Sequence, residues 1–305
     1  MDRRYAVLDV FTEEALSGNP LAIVLDAEGL DTARMQAIAG EFNLSETVFV
    51  LPPEHTAHTA RLRIFTPGTE LPFAGHPTVG TAIYLGQQRF ADAGADVDAM
   101  IVLEEEVGPV RCGVVLRPGG THYAEFDLPR LPEVSDTAPG ADAVAEALGL
   151  APHEIGFGHY PVSVASAGVP FLIVPVNGLD AARRAQPRPE KWAQVFGEGG
   201  GGHDSIYVFT AEVERPDATL HARMFGLGMG IGEDPATGAA AAALSGVLHR
   251  YGQLTEGSHR YLIEQGVEMG RPSLISLELD VADGDLHGAR IGGSAVVIAE
   301  GTLRI

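Results

Sequence analysis

The second half of this chain repeats the first in a fixed order, and a repeat of that kind dictates two copies of one folding unit. "GNPLAIV" at 18–24 is answered by "GVPFLIV" at 168–174. A short amphipathic helix follows each: Met35, Ile38, Ala39 and Phe42 lie at helical spacing after Asp31, and Trp192, Val195 and Phe196 after Pro189. Then comes a strand, "SETVFV" or "DSIYVF", and after it "RIF" at 63–65 or "RMF" at 223–225. A proline-opened helix closes each series, "HPTVGTA" or "DPATGAA". Glu46 precedes His76 by 30 residues, as Asp204 precedes Asp234. The fold class expected is α+β, with one unit over 1–128 and its duplicate over 129–287. Prolines and small polar residues in "DLPRLPEVSDTAPGAD", 127–142, mark the linker, and the strand-like segment 288–305 is expected to return to the first unit.

Composition agrees with two units of ordinary size. The chain has 305 residues, of which 45% are hydrophobic. A net charge of -21 disfavours nucleic acid and anionic membranes as partners and favours a small molecule bound at a local site. No run approaches the roughly 18 apolar residues of a membrane span, and "MDRRYAVLDVF" enters a strand without a signal-peptide core, so a cytoplasmic protein is expected. Cys112 is the single cysteine, which rules out an internal disulfide and any mechanism needing two thiols. Its strand-like setting, "VRCGVVL", reads as a buried structural thiol.

The two helix starts hold the candidate site. Pro77 suits a first helical turn, placing His76 near an N-cap, and "EDPATGAAAAAL" places Asp234 at one. Gly80 and Gly238 each sit one turn into a helix at a cost of about 1 kcal/mol relative to alanine, which implies close approach by a packed neighbour or a ligand. Ala239–Ala243 is small and apolar all round, as suits a helix wrapped by a sheet. Free N–H groups at two such helix starts would bind a carboxylate, in one cleft if the halves pack face to face. Taken singly, Asp234 is also an ordinary cap, His76 a turn histidine and Glu46 an exposed strand residue or part of a capping box. Their matched positions in the repeat favour a shared site.

"DVFTEEALSGNPLAIV", "FNLSETVFV", "RIFTPGTELPFAGHPTVGTA", "GEDPATGAAAAAL" and "EQGVEMGRPSL" resemble the signature blocks of the PhzF-like phenazine-biosynthesis proteins, in order from residue 9 to about 274. The resemblance implies the diaminopimelate epimerase-like fold: two similar domains, each a curved, mostly antiparallel sheet or barrel around a central helix, with the active site between them, usually in a homodimer. It also implies isomerase chemistry without a cofactor or metal, in which a glutamate moves a proton between carbons of a small carboxylic acid. That glutamate corresponds to Glu46. The catalytic histidine and aspartate correspond to His76 and Asp234, and Gly75 stands where the epimerase relatives carry a cysteine. Pro77, Thr237, Gly238 and Ala239 complete the substrate-binding set that the resemblance implies. Ala239 replaces a serine often found in the block, so one hydroxyl is lost.

A carboxyl acting as base and acid near neutral pH works best with a pKa raised to about 6–7 from about 4.3, which burial and a neighbouring carboxylate can produce. Asp234 is the candidate neighbour. One-base epimerisation or dehydration of hydroxy acids could use the same residues, and a binding protein for small acids could keep the cleft. A carboxylate at position 46 argues against pure anion binding. "GEGGGG" at 197–202 matches a dinucleotide-binding spacing but precedes a strand, "HEIGFGH" lacks the spacing of a zinc helix, and Glu104–Glu106 reads as a solvated strand end.

Overall fold

The computed structural model describes residues 2–197, 204–227 and 231–305, so most of "GEGGGG" lies outside the described residues. The chain forms two compact units, Met1–Pro129 with Gly292–Ile305, and Arg130–Ile291.

The first unit contains β1 (Asp2–Val10), β2 (Asn19–Val24), α1 (Thr32–Phe42), β3 (Glu46–Leu51), β4 (Ala60–Phe65), β5 (Glu70–Leu71), α2 (Gly75–Arg89), β6 (Val97–Glu105), β7 (Gly108–Leu116) and β8 (Tyr123–Asp127). The long β17 (Asp285–Arg304) enters it from the second unit. Strands β1 and β2 are antiparallel, and α1 is the crossover to β3, which lies parallel to β2 with Leu21 opposite Glu46. Strand β4 is antiparallel to β3, and α2 is the crossover from it to the parallel β6, with Arg61 opposite Glu104. Antiparallel pairs β6–β7 and β7–β8 follow; β8 then pairs with β17, and β17 with β1. The ring β1-β2-β3-β4-β6-β7-β8-β17 closes on itself, leaving those strands no free edge.

Helix α2 is wrapped by this barrel, with eleven of its 15 residues buried, including every residue from Gly75 to Tyr84. A helix buried on all sides needs small residues where strands pass closest. A Cβ at Gly80 would fall 2.7 Å from Leu21 Cδ2 and 2.7 Å from Val10 Cγ2, so packed neighbours account for this glycine. Outside the barrel, α1 covers Val24, Phe49 and Phe65 with Met35, Ile38 and Ala39.

The second unit follows the same succession. It contains β9 (Glu133–Val134), α3 (Ala141–Leu148), β10 (Ser163–Ser166), β11 (Pro170–Pro175), α4 (Leu179–Arg184), α5 (Pro189–Phe196), β12 (Ile206–Thr210), β13 (Leu220–Gly226), β14 (Ile231–Asp234), α6 (Gly238–Tyr251), β15 (Gly257–Gln265) and β16 (Ser273–Ala282). The stretch 127–142, read as a linker, holds β9, which pairs with β10. Strands β11 and β12 are parallel, as are β13 and β15 with His221 opposite Glu264, and α6 is the crossover between the latter pair. The first part of β17 lies beside β16, where Arg290 bonds Asp280 at 3.0 Å. Ala240–Ala243 are buried, as their size predicts. Among the described residues no helix is long and apolar enough to cross a membrane.

Candidate active site

Glu46 is the first residue of β3 and His76 the second of α2. The N-cap of α2 is Ala74 in extended conformation, so His76, the second helical residue, lies near the cap as the sequence suggested. With no side chain capping α2, the first N–H groups, those of Gly75 and His76, point out of the helix at its positive end. Pro77, next in line, has no N–H to leave unsatisfied.

His76 Nε2 lies 3.4 Å from Glu46 Oε2, with the two side chains 5% and 14% exposed. The contact lacks hydrogen-bond geometry, and Nε2 has no hydrogen-bond partner among the described residues. The ring's other nitrogen is accounted for, because the imidazole hydrogen-bonds the Pro20 carbonyl. A carbonyl can only accept, so Nδ1 carries the proton and Nε2 presents a lone pair toward Glu46. Burial pushes the His76 pKa down to about 3, with the Pro20 bond opposing only in part. The contact is therefore a neutral imidazole beside a carboxyl group, not an ion pair.

In the second unit, Asp234 is the last residue of β14, opposite Met224 of β13. It does not cap α6, whose N-cap is Thr237. Strand pairing holds Asp234 back from the helix, and its carboxylate is reached through Thr237, whose Oγ1 donates to Asp234 Oδ2 at 2.6 Å. Gly238 is the first residue of α6, not one turn into it as the sequence suggested, and is buried, while Thr237 and Ala239 are half-buried.

Gln265 holds this arrangement together and was not singled out in the sequence. Its Nε2 donates to the Asp234 carbonyl at 2.8 Å and lies 3.0 Å from Thr237 Oγ1, while its Oε1 accepts from the Thr237 N–H at 3.2 Å and the Tyr207 hydroxyl at 3.1 Å. Gly266 follows at φ +75°, where an added Cβ would lie 2.5 Å from the Arg271 carbonyl and 2.6 Å from that of Pro235. Close approach of backbone to backbone explains why "EQG" carries a glycine there. Neighbouring His221 is fully buried between Glu264 at 2.8 Å and Glu268 at 3.0 Å.

A model of phenazine biosynthesis-like proteins, PhzC-PhzF, matches residues 8–301. The chain belongs to this family. It is 51% identical to an uncharacterized isomerase of Mesorhizobium japonicum over 99% of each chain. With the trans-2,3-dihydro-3-hydroxyanthranilate isomerase of Pseudomonas fluorescens it shares 35% identity over 98% of each. The crystal structure of a PhzF-family phenazine biosynthesis protein from Bacillus anthracis superposes with a TM-score of 0.87 at 28% identity, covering 100% of both chains. The fold is accordingly diaminopimelate epimerase-like and the enzyme class that of the PhzF isomerases. A two-cysteine racemase is excluded, because the single cysteine, Cys112, is fully buried on β7 and burial raises its thiol pKa.

One further expectation needs correction beyond the cap of α6. Glu104–Glu106 is not a solvated strand end: Glu105 is 7% exposed, and Glu104 accepts from the Glu54 N–H at 2.7 Å, the His55 N–H at 2.8 Å and contacts His58 Nδ1 at 2.8 Å. A period-two reading of β6, with Ile101, Leu103 and Glu105 on one face, is the signal that finds the buried member.

Proposed function

We propose that this PhzF-family isomerase moves a proton between carbons of a small unsaturated carboxylic acid without a cofactor, with Glu46 as the acid/base group. The Glu46 carboxylate accepts a proton from a carbon adjacent to a double bond or carbonyl. The C–H electron pair enters the adjacent π system, the double bond shifts, and the Glu46 carboxyl returns a proton to the far carbon, which restores the carboxylate. Between the two half-steps the protonated carboxyl is held by the neutral imidazole, whose Nε2 lone pair accepts its proton in a hydrogen bond. Backbone N–H groups around Gly75 and Gly238, at the heads of α2 and α6, are the donors proposed for the substrate carboxylate. Asp234 is proposed to take part in the same reaction, with Pro77, Thr237 and Ala239 shaping the substrate position.

The observation that carries this reading is the 3.4 Å contact between Glu46 and a neutral His76 nitrogen that has no hydrogen-bond partner among the described residues, both side chains nearly dry. The substrate named for the Pseudomonas fluorescens relative, trans-2,3-dihydro-3-hydroxyanthranilate, belongs to the proposed class and is the first acid to assay. Wild type should isomerise it or a related small cyclic acid. Glu46→Gln should lower turnover by about 10²–10⁴-fold with unchanged folding, the usual worth of a general acid/base. Wild-type turnover in that variant would overturn the assignment.

A further inference from the structure

The two units match at a position that the proposed chemistry does not use. Arg61 faces Glu104 across β4–β6 as His221 faces Glu264 across β13–β15. Glu104 accepts from the backbone of Glu54 and His55, and Glu264 likewise from Glu214 at 2.6 Å and Arg215 at 2.9 Å. One residue further along each strand stand Glu105 and Gln265, each under a crossover helix and each touching a threonine at its head. Gln265 reaches Thr237; Glu105 Oε1 lies 2.8 Å from Thr78 Oγ1.

The geometry points to Glu105 as a positioning residue held as a neutral carboxylic acid, which fixes the first turn of α2, and with it His76, by donating its proton to Thr78. Proton counting at Thr78 supports this. Thr78 Oγ1 lies 2.7 Å from the Ala74 carbonyl as well as 2.8 Å from Glu105. A hydroxyl carries one proton and a carbonyl only accepts, so the threonine proton belongs to Ala74 and the other contact takes its proton from Glu105. The resulting chain, Glu105 to Thr78 to the carbonyl of the N-cap, spans the turn that bears Gly75 and His76.

Among the described residues no cation compensates a charge at this place. Arg63 is paired with Glu70 at 2.6 Å, Arg61 with Glu54 at 2.6 Å and His58 with Glu104 at 2.8 Å. Cys112 on β7 and His76 on α2 are held neutral by burial, and Glu106 is a further acid beside it. Glu105 Oε2 has no hydrogen-bond partner among the described residues, an arrangement costly for a carboxylate and tolerable for an acid. Burial pushes the Glu105 pKa up to about 8. In the duplicate unit the position is filled by an amide, which is neutral at every pH.

The role at His76 rests on the functional reading above; the protonation state does not. Infrared difference spectra of the full-length wild type and Glu105→Gln at pH 7 read the state directly. Wild type should show a carboxylic-acid carbonyl band that the variant lacks and that disappears as pH rises through about 8. Identical spectra would overturn the proposal. For the positioning role, Glu105→Gln should keep wild-type kcat at pH 7 and hold it at alkaline pH where wild type declines, whereas Glu105→Ala should lose tenfold or more in kcat with little change in KM. A Glu105→Gln variant as impaired as Glu105→Ala would refute it, and if the alanine variant fails to fold, the alkaline profile of Glu105→Gln decides. An inactive wild type counts against the functional reading alone, since the infrared band still tests Glu105.

Discussion

Two histidines, one in each unit, show how environment decides what a residue can do. His76 has a pKa pushed down to about 3 by burial, and His221 one pushed up to about 9, because hydrogen bonds to Glu264 and Glu268 outweigh its own burial. Between pH 6.5 and about 3 the unfolded chain protonates at position 76 and the folded chain does not, so this site makes stability fall as pH falls. His221 acts in the opposite direction: its contribution is complete below pH 6.5 and is lost as pH rises through about 9. Urea denaturation across pH should show the acid-side loss reduced in His76→Gln, and a weakened alkaline loss in His221→Gln measured against its own lower baseline. An acid limb near pH 6.5 in the rate profile that vanishes in His76→Gln would contradict the neutral imidazole. Glu46, His76 and Asp234 were legible as candidates from their matched places in the repeat. Glu105 was hidden by its acidic neighbours, because a run of three glutamates looks solvated until strand alternation is applied to it.

At the scale of elements, prolines announce α2 and α6 well, but the positions of the caps depend on pairing that local sequence does not display. Asp234 is held in β14 by its register with Met224, so the cap passes to Thr237. Glycines report the tightest contacts. Gly80→Ala should cost about 1–3 kcal/mol by overpacking against Leu21 and the stiff Val10, partly offset by about 1 kcal/mol of helix propensity, measurable as a lower urea midpoint. Gly266→Ala should be worse, since its positive φ and two backbone oxygens give the methyl group no room, and moving the Pro235 backbone disturbs Asp234 as well. That variant is expected to lose activity at temperatures where it remains folded; full activity would show that the Asp234–Pro235 backbone can move freely.

For the molecule as a whole, the duplication carried most of the information about the fold, because an ordered series of matched segments implies the same strand succession twice. Spacing alone could not show which strands the segment 288–305, expected to return to the first unit, would join. Closure of the first barrel depends on β17, whose later residues pair with β1, and on Tyr84, whose hydroxyl donates to Glu300 Oε1 at 2.8 Å. Truncation after Ile291 removes the strand that joins β8 to β1. It should unfold the first unit, seen as loss of near-UV circular dichroism and of protected amides in α2, and a truncated chain with α2 still protected would show that the barrel does not need closing.

The central claim is that Glu46 carries the proton from carbon to carbon. Turnover of a small cyclic carboxylic acid in D2O, followed by NMR, tests it most directly. Wild type should place deuterium from solvent at the carbon that gains the proton, to the extent that Glu46 exchanges with water between half-steps, and Glu46→Gln, with an unchanged circular dichroism spectrum, should neither isomerise the acid nor label it. Isomerisation or labelling by Glu46→Gln at the wild-type rate would contradict the account.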